Sequence, residues 1–244
     1  MKCAVPPDLK ATSVRIPSDR FEQWAESVYP DPPYSFAKLV NLSGLSRSTM
    51  FYQRSRGYLD ARVLIIVARK IGRNPLEELL QFPEFSTLAS GPPPTTAEVL
   101  SQLPVPAMME ELLGRYWGYS VTHDLESRPG RYNLNRWLAS YDVRGRYKEL
   151  AQAAGVSGQQ EFSRKLTENR FSLEQLLALS EHGGLNARFS LVASGVISYA
   201  EAGFNPNLRE ETLAQASTGA IVAELKRALP WFAKEMDAAQ KDKQ

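Results

Sequence analysis

At 244 residues the chain is longer than the roughly 100–150 residues of a common single domain, which favours two cores over one. Its 43% apolar and 23% charged content exclude a disordered or fibrous chain. A formal net charge of +2 is too small to announce a polyanionic partner by itself, so the distribution of charge has to be read along the chain.

The one cysteine, Cys3, has no internal partner for a disulfide, and no signal-peptide pattern opens the sequence. Even the apolar run 63–68 stops at Arg69-Lys70, short of the roughly 18 residues of a membrane-spanning helix. The expected setting is the cytoplasm. Residues 18–29 form a short amphipathic stretch with Ser18 as its expected N-cap, closed by Pro30-Asp31-Pro32-Pro33. From 34 to 82 apolar residues recur at helical spacing, at Leu39, Leu42 and Leu45, then Leu64, Val67, Ala68 and Ile71, then Leu76, Leu79 and Leu80. This predicts several short helices. The segment 34–85 is also basic: Lys38, Arg47, Arg54, Arg56, Arg62, Arg69, Lys70 and Arg73 stand against Asp60, Glu77, Glu78 and Glu84.

Gly91-Pro92-Pro93-Pro94 and Pro104-Val105-Pro106 punctuate residues 86–106, which read as an extended, semi-rigid connector with at most a short helix. Beyond it 108–117 is predicted helical and 118–131 irregular, and a helical pattern resumes from Asn133 to Gly183-Gly184. Residues 208–239 are helical again, with Ile221, Leu225, Ala228, Leu229, Phe232 and Met236 in one apolar stripe around Pro230, expected to pack on its own domain. No alternating strand pattern occurs. The fold class expected is all-α, with a first domain at 1–85, a proline-rich linker at 86–106, and a second domain at 107–244 that ends in a helix.

Residues 36–52 read as helix, turn, helix. Gly44 supplies the left-handed residue that ends the first helix, Ser46 caps the second, and Leu39, Leu45 and Met50 pack the two together. Here the sequence resembles the Cro and lambda-repressor family of helix-turn-helix proteins. That pattern continues through Gly57, 64–72 and 75–79, about fifty residues in all. Val40 stands where the family has a small alanine, and polar Gln53 where it has an apolar residue. A second copy runs through 147–157, 162–166 and 173–179. An offset of 111 residues brings Gly44 onto Gly155, Leu39 onto Leu150, and Leu45-Ser46 onto Val156-Ser157. In this copy Ala151 matches the family, but Glu161 falls at an apolar position and Phe162 comes one place late, as an inserted residue would produce.

The resemblance implies two tandem helix-turn-helix domains, each with a second helix that enters the major groove of double-stranded DNA. It places Arg47, Ser48 and Tyr52 toward bases, with Ser46 and Thr49 at the helix start, and Ser35, Lys38, Arg54 and Arg56 nearer the phosphates. In the second copy it places Gln159, Gln160 and Ser163 as base readers, with Ser157 at the turn and Arg144, Arg146, Arg164 and Lys165 on phosphates. Arginine suits guanine and glutamine suits adenine. The function implied is that of a transcriptional regulator, a repressor of the phage or prophage immunity type. Because the two recognition helices differ, one chain is expected to read an asymmetric site as a monomer, a dimer through the C-terminal helix being the alternative. The rival from another class is a helical protein-interaction module, an antirepressor or adaptor.

Catalytic and metal chemistry find little support. Ser35-Phe36-Ala37-Lys38 matches a Ser-x-x-Lys signature without its companion motifs. His123 and His182 lie far apart with no ligand at metal spacing, and no glycine-rich phosphate loop occurs. No enzymatic activity, metal or cofactor is expected.

Overall fold

The computed structural model describes residues 14–29, 35–123, 125, 133–141 and 143–241. Cys3, the proline punctuation at 30–33 and part of the irregular stretch 118–131 lie outside the described residues. The chain is mostly helical, as expected of an all-α protein. It divides into two compact units: one holds 9–91 together with Ser172–Glu174, the other mainly 92–171 and 175–244.

The first unit opens on a feature that no alternating pattern signalled. Strand β1 (Arg15–Pro17) pairs antiparallel with β2 (Tyr58–Asp60), in the register Ile16 opposite Leu59. Strands of three residues are too short for alternation to register, yet Ile16 and Leu59 are both fully buried. Helix α1 (Ser18–Val28) follows without a side-chain cap. Ser18 is its first helical residue, Pro17 occupies the cap position, and the Ser18 N–H instead donates to the carbonyl of Gly57 at 3.0 Å. The expected serine cap is therefore replaced by the sheet, because the chain enters the helix directly from β1. Phe21, Trp24, Ala25 and Val28 bury one face of α1, and the Trp24 indole donates to the buried Glu78 carboxylate at 2.6 Å.

Helices α2 (Phe36–Ser43) and α3 (Arg47–Ser55) are joined by three residues, and Gly44 takes φ +67° at the end of α2. The central element is α4 (Ala61–Lys70), six of whose residues are buried: Ala61, Val63, Leu64, Ile65, Val67 and Ala68. Asp60 caps it by accepting from Arg62 N–H at 2.7 Å, and Asn74 caps α5 (Pro75–Leu79) through Leu76 N–H at 2.9 Å. A 3₁₀ turn at Pro83–Leu88 ends the unit and buries Phe85 and Leu88.

The second unit begins within the proline-punctuated stretch. Helix α6 (Thr96–Ser101) starts with a capping box, in which Thr95 and Glu98 satisfy each other's backbone N–H groups. Val99, Leu100 and Leu103 are core residues. Helices α7 (Val105–Trp117), α13 (Leu208–Gln215) and α14 (Thr218–Lys241) share a cluster that contains Met108, Leu213, Ile221, Leu225 and Ala228. Beyond Ala228, no described residue of α14 is buried. Between these lie α8 (Asn133–Ala139), α9 (Tyr147–Ala153), α10 (Gln159–Thr167), α11 (Leu173–Gly183) and α12 (Ala187–Ala193). Among the described residues no helix is long and apolar enough to cross a membrane.

Two buried polar centres hold the second unit. Glu98 accepts from the Trp137 indole at 3.2 Å and from the Tyr141 hydroxyl, and burial and this carboxylate push the tyrosine's pKa up. Arg136 of α8 donates to the carbonyls of Leu103 and Leu100 and meets the fully buried Glu224 of α14 at 3.2 Å, with Arg227 on the other Glu224 oxygen at 3.0 Å. Burial pushes the Glu224 carboxyl above its ordinary range, although both arginines pull it down.

Candidate nucleic-acid interface

Helices α2 and α3 and the turn between them are assembled from local rules. Ser35 caps α2 by accepting from Lys38 N–H at 3.3 Å, and Ser46 caps α3 by accepting from Thr49 N–H at 3.1 Å. The Ser46 hydroxyl also meets those of Ser48 at 3.0 Å and Thr49 at 2.7 Å, so an exposed hydroxyl cluster sits at the start of α3. Only Met50 of α3 is buried. Leu39 packs in the core with it, while Leu45 is half-buried. The departure at Gln53 has a structural use: its side-chain carbonyl accepts from Asp60 N–H at 3.1 Å and ties α3 to β2. Val40 is accommodated as a buried residue.

The outward face of α3 carries cations laid over aromatic rings. Arg47 lies over Phe51 at 5.3 Å and Arg56 over Tyr52 at 5.2 Å, each pair four residues apart on the helix. Tyr52 is 56% exposed and Phe51 41%, both large exposures for aromatic side chains. Lys38 stands near the Tyr29 ring at 5.6 Å. Between Ser35 and Leu59 the sequence carries four cations and no carboxylate. One of the four is paired with a carboxylate: Arg54 makes a two-pronged pair with Glu22 of α1 at 2.7 and 2.8 Å and lies over Phe36 at 4.5 Å. Its positive charge is therefore offset by a carboxylate, whereas the contacts described for Arg47 and Arg56 are with aromatic rings.

The second copy differs in its electrostatics. Gly155 repeats the left-handed turn at φ +61°, but α10 begins one residue later than the offset of 111 predicts, after Gly158 at φ +110°. An extra turn residue accounts for this and returns Phe162 to the buried position held by Met50 in the first copy. Ser157 does not cap α10; its hydroxyl instead bonds the Glu161 carboxylate. Gln159 and Gln160 are exposed at the helix start, and Ser163 is half-buried. Arg164 pairs with Glu161 at 3.8 Å, Arg146 with Glu149 at 3.3 Å, and Lys165 donates to Gln175 at 3.2 Å. Arg144 opens the turn Arg144–Arg146, and its side chain lies outside the described ones.

No family model, curated protein or solved structure matches this chain. The interface therefore rests on its own chemistry. Two of its residues escaped sequence reasoning. Phe51 links Arg47 to Phe36 by an edge contact at 5.1 Å, and the four-residue spacing from Arg47 was the available signal. Lys70, at the end of α4, brings its ammonium within 3.9 Å of where a Gly44 side chain would begin, above the turn. Nothing in the local sequence announces that approach, since the fold alone joins residues 44 and 70.

Proposed function

We propose that the chain is a sequence-specific double-stranded DNA-binding regulator of transcription, of the repressor type, with α3 as its principal recognition helix. The observation that carries this reading is the face of α3, which exposes Arg47, Ser48 and Tyr52 in a stretch free of carboxylates while Met50 alone of the helix is buried. Arg47 and the hydroxyl cluster supply donors for base edges, Tyr52 and Phe51 supply apolar contact for a thymine methyl, and Lys38, Arg56 and Lys70 supply charge for phosphates. Helix α10 is the second reader of the same chain. Gln159 and Gln160 suit adenine, and the site read by one chain is asymmetric because α3 and α10 offer different groups.

One observation favours a second reading, for the second copy alone. Two of its cations, Arg146 and Arg164, are already paired with Glu149 and Glu161, so that copy can serve as a protein-interaction module beside a DNA-binding first unit. Selection of bound duplexes from a random-sequence library with the full chain separates the outcomes. A selected site with two distinct blocks supports both readers, one block supports α3 alone, and recovery of no preferred sequence overturns the proposal.

A further inference from the structure

Helix α7 presents a continuous apolar stripe to solvent. Met109, Leu113, Tyr116 and Trp117 recur at spacings of four, three and one and so share one face. Trp117 stacks on Tyr119 with ring centres 6.3 Å apart and meets Tyr116 edge-on at 5.7 Å. Exposure of these residues runs from 42% at Leu113 through 61% at Trp117 to 81% at Tyr116. Ala107 and Met108, which point away from this stripe, already fill the core, so the stripe is surplus to folding.

We propose that this stripe is a self-association face, on which two copies of the chain meet with their α7 helices antiparallel about Leu113. The area fits. Large side chains present roughly 150–250 Å² each, so at these exposures the four stripe residues and the stacked Tyr119 hold about 400–700 Å² of water-exposed surface, most of it apolar. A standard-size interface takes about 800 Å² per partner, of which about 60% is apolar, or about 500 Å². The residue order is also self-complementary. A two-fold axis at Leu113 sets Leu113 on its own copy, Met109 against the partner's Trp117, and the half-exposed Glu110 beside the partner's Tyr116 hydroxyl. Thioether meets aromatic ring, carboxylate meets hydroxyl, and no like charges coincide on the axis.

The test needs no DNA, so its outcome is independent of the DNA-binding reading. Sedimentation equilibrium of the full chain across a concentration series should give twice the monomer mass at the upper end. Leu113→Glu and Leu113→Lys should each sediment as monomers with an unchanged circular dichroism spectrum, and their equimolar mixture should recover the doubled mass, because only an axial residue meets its own copy. If either charged variant misfolds, Trp117→Ser, at a well-exposed position, should also yield a monomer. A wild-type chain that stays monomeric overturns the proposal, including one that binds lipid vesicles instead. A dimer that survives the folded charge variants overturns it too, as does a mixture of folded variants that stays monomeric.

Discussion

Arg47 and Arg54 lie seven residues apart on the same short helix and have the same ordinary charge, yet their surroundings assign them different work. Arg54 is held by Glu22 and Phe36, so its removal acts chiefly on the packing of α3 against α1 and α2. Arg47 touches only the Phe51 ring among the contacts described for it, which leaves its donors free for a partner. Arg47→Ala should therefore relax preference at one base pair by about 1–3 kcal/mol with little change in unfolding midpoint. Competition titrations with single-base variants of the selected site measure this. An equal loss on every sequence would reassign Arg47 to phosphate binding.

At the scale of elements, the turn chemistry of the first copy was legible because it is local. Gly44 and Ser46 act within three residues of their positions, and the structure places them as the sequence implies. The β1–β2 pair was not legible, since it joins residues some forty positions apart through strands too short to show a period. The same holds for the Arg136–Glu224 pair, in which a charge on α8 finds its partner on α14 only after folding. Removing Arg136 leaves the fully buried Glu224 carboxylate with only the partly exposed Arg227 beside it. Arg136→Met should lower the stability of the folded chain by about 3–5 kcal/mol, and adding Glu224→Leu should recover much of that loss. Chemical denaturation of the three proteins decides, and a double variant no more stable than the single would show that the bonds to Leu100 and Leu103, not the ion pair, matter most.

At the scale of the whole molecule, a net charge of +2 conceals an uneven distribution. The first unit gathers exposed cations around α3, whereas the second copy sets acids beside its own. DNA affinity should accordingly fall steeply with salt, by about 0.9 in the logarithmic slope for each phosphate neutralised. Lys70→Ala should reduce that slope by about one while leaving the preferred sequence unchanged. Fluorescence-anisotropy titrations at several salt concentrations provide the readout, and an unaltered slope would remove Lys70 from the phosphate contacts.

Helix α3 is fixed by Met50 beneath it, the Ser46 hydroxyl at its start, the Gln53 bond to β2, the Arg54 pair with Glu22 and the contact of Phe51 with Phe36. Its remaining positions face outward and take almost no part in the interior. Sequence drift at 47, 48 and 52 is therefore nearly invisible to folding, while under the proposed function it is visible to the DNA. Such a helix can acquire a new preference by a handful of substitutions without passing through an unfolded ancestor. Descendants of this chain can then diverge in what they recognise while keeping one architecture.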